Sequence, residues 1–337
     1  MLEGTTMRLA APAALGALAL FASGAARPQA PADLKLALPI ACEPGKTCFV
    51  QNYVDRDPGP GALDYRCGHR TYDKHDGIDI RLLDMVAQKT GVDVLAAADG
   101  KVVAVRDGVQ DISIRAPGAP PVKGRECGNR VGISVAGGWI LDYCHLAEGS
   151  PRVKVGDSVV VGQPLGRVGL SGETEFPHLH FSVRRQNAVV DPFAPGPVAP
   201  GACASQPTLW NDAAARALAY RRGAVLNTGF AAGAAAADAI DARAVAPAAA
   251  STGLVAYARL IGLEAGDILD LRVTGPDGRQ IAVGSSAPMD HDKAWWLIQA
   301  GQGKPPAGGW PHGAYTAELA VRRAGAVAVS ARWRTTL

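Results

Sequence analysis

The chain has 337 residues and a formal net charge of +3, with 34 Lys and Arg against 31 Asp and Glu. That length suits two domains and leaves ample room for a hydrophobic core. Without a long Lys/Arg run, a balance this close to neutral gives no reason to expect a nucleic-acid partner.

The N-terminus reads as a secretory leader. Met7-Arg8 supplies the charged start, residues 9–21 are apolar or small, and Ala22, Ser23, Gly24, Ala25 and Ala26 offer small residues for cleavage. Residues 1–26 are therefore expected to be removed on export to the periplasm or beyond. An uncleaved anchor is the alternative, although the apolar run is shorter than the ~20 residues of a membrane span. No later segment reads as a transmembrane helix, so no stable transmembrane segment is expected after cleavage. Residues 27–41 read as a Pro- and Ala-rich lead-in.

From Cys42 to about residue 195 the texture is that of short strands. Residues 78–82, 92–98, 101–106, 111–115, 131–135, 139–145 and 179–184 are strand candidates. Asp99-Gly100 predicts a hairpin between 92–98 and 101–106, and Gly137-Gly138 predicts another. The single helix candidate is 83–90. Residues 194–207 are rich in Pro and Gly and predict a boundary. A helix over 210–222 is expected, capped by Asn211 or Asp212, within a connector that spans 196–250. Six further strands are expected at 251–261, 268–274, 280–285, 294–299, 313–321 and 326–333. On this reading a chain ending near Pro207 is expected to fold and to keep any metal site.

The six cysteines are Cys42, Cys48, Cys67, Cys127, Cys144 and Cys203. An even number in an exported chain predicts disulfides, all within the first domain. Cys127 and Cys144 flank the Gly137-Gly138 hairpin and are expected to pair. Cys48 with Cys67 and Cys42 with Cys203 are the remaining expected pairs.

Three of the seven histidines lie in two tight patterns, His75-Asp76-Gly77-Ile78-Asp79 and His178-Leu179-His180, and His145 stands between them. On a strand, residues i and i+2 share a face, so His178 and His180 would point to one side. A metal could lie between them or take one of them; both could equally sit on a solvated face. Gly77 argues against a helix joining His75 to Asp79. A catalytic zinc takes three protein ligands, and a set of His and Asp has the right chemistry. Elsewhere, His69 and His312 read as structural or loop residues. Asp290-His291-Asp292 reads as an exposed turn, and Trp295-Trp296 as one core ring beside one outer ring.

The ordered pieces His75-Asp76-Gly77-Ile78-Asp79, Tyr143-Cys144-His145-Leu146, Gly156-Asp157-Ser158-Val159 with Gly162-Gln163-Pro164-Leu165-Gly166, Gly169-Leu170-Ser171-Gly172 and His178-Leu179-His180-Phe181 resemble the lysostaphin-type (M23) zinc endopeptidases of bacterial cell walls. The resemblance covers about residues 75–192. It implies that His75, Asp79 and His180 are zinc ligands and that His145 and His178 are catalytic histidines beside the reacting water. It implies a lysostaphin-type antiparallel β peptidase domain over 42–195; the strand texture of 251–337 departs from that family pattern and reads as a C-terminal β-sandwich-like accessory domain, so the chain is expected to be all-β dominated. The expected function is zinc-dependent hydrolysis of peptide cross-links or stem peptides of peptidoglycan, by a monomer. The alternatives are a non-catalytic wall-binding or hydrolase-regulating protein, and a secreted zinc peptidase acting on proteins.

Overall fold

A computed structural model of the chain describes residues 34–196, 203 and 208–337. The expected leader lies outside these residues. Among them, no helix is long and apolar enough to cross a membrane.

The elements, in chain order, are β1 (Cys48–Asn52), β2 (Ile78–Leu82), α1 (Met85–Thr90), β3 (Asp93–Leu95), β4 (Gly100–Arg106), β5 (Asn129–Val135), β6 (Trp139–Leu146), β7 (Ser158–Val159), β8 (Pro164–Arg167), β9 (His178–Arg185), β10 (Ala188–Val189), α2 (Asp212–Ala217), β11 (Ala224–Ala231), α3 (Ala237–Asp241), β12 (Leu254–Leu263), β13 (Ile268–Thr274), β14 (Gln280–Ser285), β15 (Lys293–Gln302), β16 (Ala314–Arg323) and β17 (Ala326–Thr336). The main sheet has the order β1-β2-β9-β6-β5-β4-β7, with β10 paired to β9, and all its pairings are antiparallel. Strand alternation gives this sheet two unlike faces. Ile78, Ile80, Leu179, Phe181, Leu141 and Tyr143 bury one face in the first core. Asp79, His178, His180 and Ser182 point from the other face into a groove.

Several boundaries differ from expectation. Asp99-Gly100 does not close a hairpin: β3 pairs with β8, not with β4. The two-residue turn that Asp-Gly favours needs positive φ, and Gly100 does not adopt it. Glycine is required there for close approach instead, because a Cβ would lie 2.4 Å from Ile133 Cγ2 and 2.6 Å from the Ser134 carbonyl oxygen. Residues 111–115 form no strand, only a bridge from Asp111 to Ser171. The Gly137-Gly138 hairpin joins β5 to β6 as expected, and Val135 faces Trp139.

The ends of the first module also need correction. Leu34, Leu36 and Ile40, in the expected lead-in, are core residues; Leu36 bridges to Trp210 and Ile40 to Val94. In the expected connector, Leu209, Trp210, Ala214 and Leu218 join the same core. Asn211 does cap α2, accepting a hydrogen bond from the Ala214 amide at 2.9 Å, but the helix stops at Ala217. β11 and α3 also lie in that connector, and β11 pairs with β12. A chain ending near Pro207 would therefore open the first core.

The disulfides are Cys127–Cys144, as expected, with Cys42–Cys48 and Cys67–Cys203 in place of the other two expected pairs. Cys48 opens β1, a strand the sequence reading had missed. The tight turn before it brings Cys42 back, with Gly45 N–H donating to the Cys48 carbonyl at 2.7 Å.

The C-terminal strands form two antiparallel sheets, β11-β12-β15 and β14-β13-β16-β17. Both sheets contribute to one apolar cluster, with Ala258 and Leu260 of β12 and Ile298 of β15 from the first, and Leu269, Leu271 and Leu319 from the second. All six strands expected in this region are present. Leu34 to Leu337 hold together as one compact unit.

Candidate functional site

Register explains how the site is assembled. Asn52 of β1 faces Asp79 of β2, Asp79 faces His180 of β9, and His180 faces Cys144 of β6. Four strands thus place one row of side chains across the sheet, and His145 follows directly on β6. His75 enters from the turn before β2. Gly77 lets that turn pass close to β9, since a Cβ there would lie 2.6 Å from His180 Nε2.

Three donor atoms converge. His75 Nε2 is 3.2 Å from Asp79 Oδ1 and 3.2 Å from His180 Nδ1, and His180 Nδ1 is 3.0 Å from Asp79 Oδ1. Among the described residues, His75, Asp79 and His180 are the one group of His, Cys, Asp or Glu close enough to hold a metal ion, with ligand atoms within 4.8 Å of one another.

The atoms that face away from this point each have a partner. His75 Nδ1 donates to the Tyr53 carbonyl at 2.6 Å. Asn52 Nδ2 donates to Asp79 Oδ2 at 2.8 Å. His180 Nε2 lies 3.1 Å from Asp76 Oδ1 and 3.0 Å from Ser182 Oγ. Such outer partners fix the ring orientation and leave the inner lone pairs for a metal. The donor set therefore fits a divalent ion of intermediate softness.

The remaining two imidazoles are also pinned from behind. His145 Nδ1 donates to the Ser171 carbonyl at 2.7 Å, and His178 Nδ1 lies 2.9 Å from the Phe176 carbonyl. Their ring centroids are 4.6 Å apart. His178 Nε2 is 3.3 Å from Asp79 Oδ1. His145 adopts φ 58°, a left-handed conformation rare for a residue with a Cβ, beside the Cys127–Cys144 disulfide.

Electrostatics follow from burial and these contacts. Burial opposes the charge of Asp79, but the imidazoles of His75 and His178 outweigh it and hold the carboxyl well below its usual range. The hydrogen bond from His180, helped by Arg184, brings Asp76 down to about 2 despite partial burial. Burial works against a proton on His180, yet Asp76 and Asp79 lift it to about 9 in the metal-free protein. Burial and the neighbouring His178 and His180 push His145 well below the usual imidazole range, so it is neutral.

Asp79, His145, His178 and His180 line one groove, of about 670 Å3, and His75 meets Asp79 and His180 behind that lining. The sequence reading missed Asp76, Ser182, Asn52 and the Tyr53 carbonyl. Asp76 stands inside the recognised motif, but only the β2–β9 register shows that it reaches His180. The other histidines stay outside the site. His69 pairs with Asp292 at 2.8 Å, and Asp290 pairs with Lys293 at 2.6 Å. His312 is exposed.

Residues 73–192 match the profile of peptidase family M23. The cell division protein DipM of Caulobacter vibrioides is 32% identical over 125 residues, which are 37% of this chain and 17% of that protein. Among solved structures, the catalytic domain of the prophage-encoded M23 protein EnpA from Enterococcus faecalis is 23% identical. That alignment covers 49% of this chain and 98% of that one, with a TM-score of 0.33. The catalytic domain of lysostaphin from Staphylococcus simulans is 25% identical over 42% of this chain and 85% of that one, with a TM-score of 0.27. His75, Asp79, His145, His178 and His180 all fall inside the stretch that matches peptidase family M23.

Proposed function

We propose that the protein is an exported zinc endopeptidase that hydrolyses peptide cross-links or stem peptides of bacterial peptidoglycan. The observation that carries this reading is the convergence of His75 Nε2, Asp79 Oδ1 and His180 Nδ1 at a groove that Asp79 and His180 line. Zinc held by these atoms supplies a Lewis acid for the scissile carbonyl and lowers the pKa of a water. His145, neutral and tied through Nδ1, presents Nε2 to take a proton from the attacking water. His178, tied through Nδ1 to Phe176, presents Nε2 at the same place and, once protonated, donates to developing negative charge. The three disulfides favour an oxidising compartment, which supports the periplasm or the outside as the site of action. The C-terminal sheets are read as a β-sandwich-like accessory domain.

The test pairs bound zinc, by elemental analysis after dialysis, with mass spectrometry of fragments released from purified cell-wall sacculi. His180→Ala should lose zinc and activity together. His178→Ala should keep zinc but lose roughly 100-fold or more in rate. If the wild-type protein binds zinc and releases nothing from sacculi, the enzymatic reading fails and a wall-binding role takes its place. Fragments from unfolded secreted proteins alone would shift the substrate to proteins.

A further inference from the structure

The groove is not built by the family-matched segment alone. Ala294 and Trp295, on β15 of the C-terminal sheets, line it together with His145, His178 and His180. Strand alternation turns Trp296 toward the C-terminal core and leaves Trp295 on the opposite side. Trp295 is 40% exposed, and two other exposed apolar side chains, Tyr72 at 53% and Ile114 at 38%, line the same groove from separate segments. Isolated exposed apolar residues are ordinary, but three converging on one cleft beside a candidate metal centre are not.

The position of Trp295 is fixed by the structure around it. Ile261 of β12 pairs with Trp295 and packs in one cluster with Phe49 of β1. Arg259, two residues earlier on β12, donates to the Leu83 carbonyl at 2.8 Å and pairs with Asp241. Arg243 pairs with Asp84 at 2.8 Å. The contact between the two modules is thus both apolar and charged, and it runs along β1 and the end of β2, beside the groove.

We propose that Trp295 is a substrate-contact residue, and that the C-terminal sheets supply one wall of the groove, against which an uncharged stretch of wall peptide lies. This rests on the peptidoglycan reading above. The ligand is peptide rather than sugar because the ring shares a single cleft with the residues that would act on a peptide bond. An aromatic face suits small aliphatic side chains and backbone, while the charged lining serves polar groups.

The test uses the full chain stripped of zinc and measures binding of a fluorescent, sugar-free, cross-linked wall peptide by anisotropy. Trp295→Ala should bind about 10-fold more weakly than wild type, and Trp295→Phe should recover most of that loss. Zinc content and melting temperature of both variants should match wild type. Equal binding by Trp295→Ala overturns the proposal, as does absence of binding by wild type. A loss seen on intact sacculi but not on the sugar-free peptide overturns it in favour of a glycan contact. Fragment release by wild type reports separately on the enzymatic reading. Release without any Trp295 effect removes this inference alone; a Trp295 effect on binding without release removes the activity and leaves the wall in place.

Discussion

Replacement of Gly77 by alanine tests how the metal centre is held. The new Cβ would lie 2.6 Å from His180 Nε2, 2.8 Å from His180 Cε1 and 2.8 Å from the Phe181 carbonyl oxygen. Carbon contacts are comfortable only beyond roughly 3.5 Å, so something must move by almost 1 Å. The Phe181 oxygen belongs to the β2–β9 ladder, where Ile78 faces Phe181. The His180 ring cannot simply turn away, because Asp76 and Ser182 hold its Nε2. Gly77 has no positive φ, so backbone strain does not enter. The cost is steric, of the order of 1–3 kcal/mol. Because the displaced ring belongs to the donor set, zinc affinity should fall by about 10- to 100-fold, as for lost outer-shell support. Chelator competition and melting curves with and without zinc measure both effects. Gly233→Ala serves as the control, since a Cβ there meets nothing within 4 Å. If Gly77→Ala binds zinc as wild type does and melts at the same temperature, the packing argument for this site is wrong.

Asp76→Ala removes the acceptor of His180 Nε2 and should weaken zinc binding by about 10-fold, the low end of the usual range, because its side chain is 40% exposed and Ser182 Oγ remains as a partner; unchanged affinity in chelator competition would count against its role. Asp191 is buried, and that burial raises its carboxyl to about 6 despite Phe193 N–H and Arg56. A folded value above the unfolded one means that stability is fully present below about pH 4 and is lost as pH rises from there through 6, by about 3 kcal/mol. Asp191→Asn should flatten this slope in denaturant titrations from pH 4 to 8, and an unaltered slope would refute the assignment. Trp210→Ala should cost about 3–5 kcal/mol, because the fully buried ring packs on Phe181 and Phe193; a change under 1 kcal/mol in denaturant unfolding would show that the segment after residue 207 is dispensable to the first core.

Legibility in the sequence followed the kind of information each feature needs. Ile78 to Leu82 alternates cleanly, and β2 has the expected bounds. The six C-terminal strands carried their own turn residues and were readable locally. The two histidines of β9 share a face for the same reason. What failed depended on partners distant in sequence. Asp99-Gly100 looks like a turn, but Val94 is claimed by Gly166 of β8. Cys48 opens a strand that has little local signature, so its disulfide partner was misassigned. Trp210 sits among alanines and prolines, and nothing nearby indicates that it closes the core under Phe181. Trp295 read as an ordinary outer ring because its neighbours in the groove lie more than a hundred residues away along the chain.

The row Asn52, Asp79, His180, Cys144 joins four strands that are remote in sequence, with Asp79 and His180 separated by 101 positions. The three donor atoms do not converge in any partly folded chain unless β2 has already closed onto β9. Contacts of such long range form late, after the entropy of closing a large loop has been overcome. On the zinc reading proposed above, a nascent or partly unfolded chain has no metal centre to load, and a captured ion would act back on the fold by binding only the closed sheet. Metal occupancy becomes a reporter of folding: a population of chains can be divided, by bound metal alone, into those whose central strands have met and those whose strands have not.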